Sequence, residues 1–302
     1  MKKPSLTPTA RGNLLLILTA FIWGVAFVAQ KEGGSALGGL TFNGVRFLLG
    51  GAMLAVCLPL LDRVGLTHRP ATPESKKAMW LGGVLCGVAL WAASNVQQIG
   101  LLTTSAGKGG FITALYIVLV PVFGLFIGRR TTLLTWGGVA LAVVGLYLLC
   151  MQGESGIGSG DLLVLACAPI FAVQILLVDK FAPHTDGVRL SCIEFFTVGI
   201  LNIPLMFAFE QPSFAAMAEN WLPLCYAGLL SSGVAYTLQV VAQKHTHPAT
   251  ASLLMSFESV FAVLAGWALM GERLSAWELC GCGVMFAAVI LAQLPTPKKK
   301  GN

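Results

Sequence analysis

NLLLILTAFIWGVAFVAQK, residues 13–31, carries no charge before its final lysine. A hydrocarbon core roughly 30 Å thick takes about 20 helical residues to cross, so this stretch reads as a transmembrane helix. Nine further stretches of the same kind follow, at 41–61, 78–99, 105–127, 132–151, 161–181, 189–209, 221–242, 248–270 and 276–294. Short connections join them and leave no soluble domain. The 302-residue chain is 56% hydrophobic and only 11% charged, against about 25% charged in soluble domains. The fold class that follows is all-α and integral to the membrane, with ten transmembrane helices.

The basic residues decide orientation. With the N-terminus taken as cytoplasmic, 15 of the 19 Lys and Arg fall on that side, from Lys2, Lys3 and Arg11 through Arg129 and Arg130 to Lys298–Lys300. Lys31 and Arg273 fall on the opposite side, and Arg46 and Lys108 lie inside spans. Cytoplasmic loops carry such an excess of cations, so both termini are expected in the cytoplasm, in a multi-pass protein of the cytoplasmic (inner) membrane. The formal net charge of +6 therefore marks topology and not a nucleic-acid partner. Lys2-Lys3 before an apolar run imitates a signal peptide, but nine later spans favour an uncleaved first helix. The eight cysteines all lie in or beside apolar spans with no Cys-x-x-Cys pair, as expected of small packing residues.

The second half echoes the first. An offset of 148 aligns Asn13-Leu-Leu-Leu-Ile17 with Asp161-Leu-Leu-Val-Leu165, Gly39 with Gly187, Phe47 with Phe195 and Gly51 with Gly199. An offset of 143 then aligns Gly128 with Gly271 and Arg130 with Arg273. Each unit holds five spans, an odd number, so the copies are expected upside down relative to one another, 12–151 and 160–294, with basic tails at 1–11 and 295–302. Inverted repeats characterise secondary transporters, which hold substrate near the midplane between halves.

The chain resembles the EamA-type drug/metabolite transporter superfamily. The resemblance is carried by Trp23-Gly24, Arg46-Phe47, Thr103-Thr-Ser-Ala-Gly107, and Ser256-Phe-Glu258-Ser-Val-Phe261 leading to Gly271-Glu272-Arg273-Leu274-Ser275. It covers both repeats and implies ten helices around a central cavity, with alternating access for small metabolites, often as efflux. It does not name a substrate. The family often has a small or uncharged residue where this chain has Lys108.

Charge inside a bilayer costs about 2.5–3.5 kcal/mol at a helix centre on insertion scales, which makes intramembrane ionisable residues functional candidates. Glu258 lies about ten residues into the ninth span, near the midplane at about 1.5 Å per residue. It is the candidate for proton coupling or gating; a glutamate hydrogen-bonded between helices and a contact to a substrate ammonium are the alternatives. Arg46 and Glu194 occupy equivalent repeat positions, but inversion puts them in opposite leaflets, about 15 Å apart along the normal, so no direct pair is expected. Either they or the shallow Lys108 can also snorkel. Trp23 and Gln30, Asn95, Gln97 and Gln98, Tyr116, Gln174, Tyr236 and Gln239 could line the same cavity or serve as interhelical glue. Gln97 and Gln98 point about 100° apart, so only one is expected to face it. Gly83/Gly87 and Gly124/Gly128 have the spacing for close helix approach, and Pro59, Pro121, Pro169 and Pro204 remove backbone donors within spans. Pro121 predicts a bend of the fourth helix beside Tyr116.

Other chemistries fail on spacing. Ser105-Ala-Gly-Lys108 lacks the glycine spacing and following hydroxyl of a phosphate loop. His245-Thr-His247 reads as a solvated loop. No metal motif or nucleophilic triad is present, so no cofactor and no enzymatic activity are expected. The expected function is a proton-coupled secondary transporter exporting small metabolites, such as amino acids or related zwitterions, by alternating access, with small-molecule substrate, protons and membrane lipid as partners. A passive uniporter remains open, and an integral-membrane enzyme would need a polar loop of clustered acids or histidines that this chain lacks.

Overall fold

The computed structural model describes residues 7–104, 106–150, 157–270 and 275–294. Lys2, Lys3, Ser105, Gly271–Leu274 and Lys298–Lys300 lie outside the described residues. Every regular element among the described residues is helical. The first half contains α1 (Pro8–Leu37), α2 (Gly39–Arg63), α3 (Pro73–Leu101), α4 (Ala106–Ala114), α5 (Tyr116–Phe126) and α6 (Leu133–Cys150). The second contains α7 (Ser159–Phe181), α8 (Gly187–Phe209), the short α9 (Phe214–Glu219) and α10 (Trp221–Cys225), a π-helical stretch (Tyr226–Tyr236), α11 (Thr237–Gln243), α12 (Pro248–Met255), α13 (Glu258–Met270) and α14 (Ala276–Gln293).

Nine segments among the described residues are long and apolar enough to cross a bilayer, and Leu133–Leu149 is a shorter apolar helix. Together they make the ten-helix membrane fold that the hydropathy predicts. Large apolar side chains on the outer surface of the spans, among them Val56, Phe207, Phe286 and Ile290, are exposed. In a soluble monomer so much exposed apolar surface would be unusual; here it faces lipid. The helices run past the hydrophobic stretches at several ends. Thr7 caps α1, its Oγ1 accepting from Ala10 N at 3.2 Å with Pro8 in the first turn: the hydroxyl satisfies one orphan donor there and the proline, lacking an N–H, removes another.

α2 packs along α8, α3 lies between α7 and α8, α6 runs against α14, and α1 sits between the π-helical stretch and α13. Small residues set these distances. A Cβ added at Gly83 would stand 2.7 Å from Ile193 Cβ, and one at Gly87 would stand 2.5 Å from Thr197 Cβ. The expected close approach at this pair is therefore where α3 meets α8. Gly124/Gly128 differs: Gly128 has φ +78° with nothing within 4 Å of its would-be Cβ. It ends α5 in a left-handed turn, the ordinary use of glycine past a helix terminus.

Two spans are broken. The fourth divides at Leu115 into α4 and α5, and the ninth divides at Ser256–Phe257 into α12 and α13. Pro121 lies inside α5, so the bend falls six residues before the proline, immediately ahead of Tyr116. Ser252 and Ser256 return their hydroxyls to Ala249 O (3.0 Å) and Leu253 O (2.8 Å), local bonds that compete with the helix ladder.

Candidate functional site

A cavity of about 40 Å³ opens where the two breaks face each other. α1 supplies Trp23, Phe27 and Gln30, α2 supplies Arg46, and α3 supplies Gln97. Thr113 and Tyr116 flank the first break; Met255 and Glu258 flank the second. α7 contributes Phe171, Gln174 and Ile175, while Ser231, Tyr236 and Gln239 close the remaining side. That volume is room for a few waters, so a solute enters only if the helices move apart.

Glu258 begins α13, is 5% exposed, and its Oε1 accepts from Tyr116 Oη at 3.3 Å. The first residues after the two breaks thus touch, joining the fourth and ninth spans. Arg46 is 1% exposed and does not snorkel. Its Nε donates to Asn43 Oδ1 at 2.8 Å, and its Cζ lies 4.7 Å from the centroid of the Phe47 ring and 5.8 Å from that of Phe42. A guanidinium over aromatic faces recovers some of the hydration it loses. Behind it runs an amide chain: Asn43 Nδ2 donates to Asn95 Oδ1 and Asn95 Nδ2 donates to Asn202 Oδ1, both at 2.9 Å. Asn95, a predicted cavity residue, therefore holds Arg46 in place from behind and does not line the cavity.

A second network descends from the opposite wall. Glu194 is fully buried and accepts from Gln174 Nε2 at 2.9 Å. Gln239 Nε2 donates to Gln174 Oε1 (3.2 Å) and Gln243 Oε1 (3.1 Å). Glu194 stands one residue behind the lining, and no ion pair joins it to Arg46 among the described residues. Gln97 faces the cavity and takes Thr113 as its partner at 3.0 Å, whereas Gln98 turns to the Gln30 carbonyl at 2.8 Å.

The π-helical stretch is held by α1. Trp23 Nε1 donates to Ser231 O at 3.3 Å, and Thr19 Oγ1 donates to Ala235 O at 3.2 Å. The Trp23 ring packs on Tyr236 at 4.5 Å between centroids. π-Helical turns are frequent at functional sites, and this one places Tyr236 and Ser231 on the cavity wall. Phe47, Phe195 and Tyr236 pack below as a three-ring cluster with centroids 5.8–6.3 Å apart.

Lys108 lies elsewhere. Its Nζ is 2.7 Å from Asp161 Oδ2, and Asp161 Oδ1 accepts from Thr104 Oγ1 at 3.0 Å. Of the predicted site residues, Trp23, Arg46, Tyr116, Tyr236, Gln239 and Glu258 meet at the cavity; Asn95, Glu194 and Lys108 do not line it. Ser231, Thr113 and the support from Asn43 emerge only from the fold, since nothing local in the sequence marks which hydroxyl or amide of a long apolar helix turns inward. No cluster of three or more His, Cys, Asp or Glu able to hold a metal exists among the described residues.

The EamA-like transporter family model matches residues 10–151 and again 158–294. The chain belongs to the EamA-like transporter family. It is 30% identical over 287 residues to an uncharacterised transporter of Archaeoglobus fulgidus, covering 93% of this chain and 85% of that protein. It is 28% identical to the uncharacterised inner membrane transporter YedA of Escherichia coli K12, covering 90% and 87%. It is 26% identical to the threonine/homoserine exporter RhtA of the same organism, covering 83% and 88%. A solved protein structure superposes with a TM-score of 0.77 over 94% of this chain and 96% of that one; at 18% identity, that likeness concerns the fold alone. The EamA-like chain is thus a multi-pass membrane transporter and not an enzyme.

Proposed function

We propose that the protein exports small zwitterionic metabolites, amino acids or related compounds, across the cytoplasmic membrane by proton-coupled alternating access, with both termini in the cytoplasm. One observation carries this reading: a buried guanidinium, Arg46, and a buried carboxyl, Glu258, face a single small cavity. Intramembrane charges that face a bundle interior mark substrate pathways and proton relays. Gln30 Oε1 and Gln239 Oε1, on residues that line the cavity, have no hydrogen-bond partner among the described residues, and buried polar atoms are seldom left so. A carboxylate at Arg46 and an ammonium near those amide oxygens and Glu258 would satisfy both ends of one ligand. Glu258, which the Tyr116 hydroxyl meets at only one oxygen, would carry the coupling proton.

The two halves are inverted copies in this reading. Exchanging first and second units carries the α3/α7 contact onto the contact of the π-helical stretch with α1, and returns α2/α8 and α6/α14 to themselves. The breaks at Leu115 and at Ser256–Phe257 fall within two residues of one another at the offset of 143. Discontinuous helices at the midplane are how transporters of this kind build substrate sites. An export direction is supported by RhtA, a named exporter.

The test begins with metabolite profiles of cells lacking and overproducing the protein. Whatever changes is then loaded into proteoliposomes and its flux followed with and without a pH gradient. Accumulation driven by the gradient supports the coupled transporter; flux that only runs down its own gradient supports a uniporter.

A further inference from the structure

α7 carries an aspartate near each end. Asp161 and Asp179 are eighteen residues apart, about 27 Å at 1.5 Å per residue, which matches the hydrocarbon thickness. Each reaches a cation at the corresponding end of the broken fourth span. At one end Asp161 pairs with Lys108 of α4 at 2.7 Å; at the other Asp179 pairs with Arg129, just past α5. Between the two pairs, this same helix couple forms a wall of the cavity through Thr113, Tyr116, Gln174 and Ile175. Any path from the cavity to either face between α7 and the fourth span has to separate the pair at that end. The break at Leu115 allows α4 and α5 to tilt separately, so one end can open while the other stays closed.

We propose that Asp161 and Asp179 are the gating residues of transport: Lys108–Asp161 latches the outer mouth, Arg129–Asp179 latches the inner mouth, and the cycle releases one at a time. This rests on the alternating-access reading above. The latches are unequal. The outer side chains are 8% and 6% exposed, the inner ones 46% and 9%. Beside the inner pair lies a cleft of about 930 Å³ lined by Phe126, Leu177, Lys180 and both members of the pair. Charges with water already at hand lose less on separation than charges enclosed together, so the inner latch opens more readily and the outer one dominates the resting state.

The test uses the full chain with its native cysteines replaced and one reporter in each half of the cavity, Phe27→Cys toward the outer face and Met255→Cys toward the inner. A membrane-impermeant maleimide is applied to right-side-out and inside-out vesicles. Asp161→Asn, nearly isosteric, is expected to raise labelling of the outer reporter several-fold and lower that of the inner one. Asp179→Asn is expected to do the reverse, with a smaller change. The swap Lys108→Asp with Asp161→Lys is expected to return labelling toward the wild-type rates, and size-exclusion profiles identify any variant that fails to fold. Unchanged rates in both folded asparagine variants, or shifts in the same direction, overturn the latches while leaving alternating access standing. Equal, fast reaction of both reporters in the wild type overturns alternating access and the latches with it.

Discussion

At Gly24 helix α1 lies directly against the ninth span. A Cβ placed there would stand 2.6 Å from Phe261 Cβ, 2.7 Å from Glu258 O and 2.8 Å from Ala262 N. All three neighbours are backbone atoms or a Cβ, none of which can swing aside. Restoring an ordinary contact of 3.4 Å or more means moving α1 and α13 apart by about 1 Å beside Glu258. Such overpacking costs about 1–3 kcal/mol. Alanine regains roughly 1 kcal/mol of helix propensity over glycine, so Gly24→Ala is expected to be destabilising by up to about 2 kcal/mol net. Gly283→Ala on α14 is the matched control, since nothing lies within 4 Å of its would-be Cβ, and it is expected to be neutral or stabilising. Denaturation of purified protein in detergent gives the stabilities, and proteoliposome flux gives the functional cost. Equal stability and equal flux for the two variants would refute the claim that this crossing fixes the position of Glu258.

Three further outcomes follow from local geometry. Glu210, just past α8, caps the start of α2: Leu40 N donates to Oε1 at 3.0 Å, and Thr41 N and Oγ1 donate to Oε2 at 2.7 and 2.6 Å. Glu210→Ala is expected to destabilise by about 1–2 kcal/mol, as loss of a strong cap does, read by the same denaturation curves. Trp23→Phe keeps the ring packing on Tyr236 but drops the bond to Ser231 O; about 1 kcal/mol of stability should go with it, and the substrate concentration for half-maximal flux should rise. His247 starts α12, its Nδ1 accepting from Ala249 N at 3.3 Å, and partial burial holds its pKa below the ordinary 6.5. The folded protein therefore favours the neutral ring. Stability is full above pH 6.5 and declines as pH falls through the lowered folded value, and His247→Ser, which keeps a cap acceptor, is expected to flatten that decline in melting curves taken against pH.

The ten crossings were legible because hydropathy over about 20 residues is a local property, and lipid imposes it directly. Glu258 and Arg46 could be singled out for a related reason: a charge in the middle of an apolar run is anomalous wherever it occurs. What the sequence concealed depends on contacts between distant spans. Lys108 stood out as a shallow cation inside a span, but Asp161 entered only as the first residue of the sixth span, and only the fold brings residues 53 positions apart in the chain to 2.7 Å. Asn95 had the right residue type and depth, yet its facing is set by Asn43 and Asn202 on neighbouring helices. The fourth span's bend was signalled by Pro121; the ninth span's break has no proline and shows only as serines spaced four apart. The π-helical stretch had no recognisable signal, since its widened turns are supported by Thr19 and Trp23 from α1.

Proton movement stoichiometrically tied to substrate is the central claim, and a pH-sensitive dye trapped inside proteoliposomes reads it directly. With the substrate found by metabolite profiling applied across the membrane, the wild type is expected to change the internal pH as substrate crosses, and Glu258→Gln is expected to abolish that change. A pH change of undiminished size in folded Glu258→Gln protein, or substrate flux through the wild type with no pH change at all, would contradict the account.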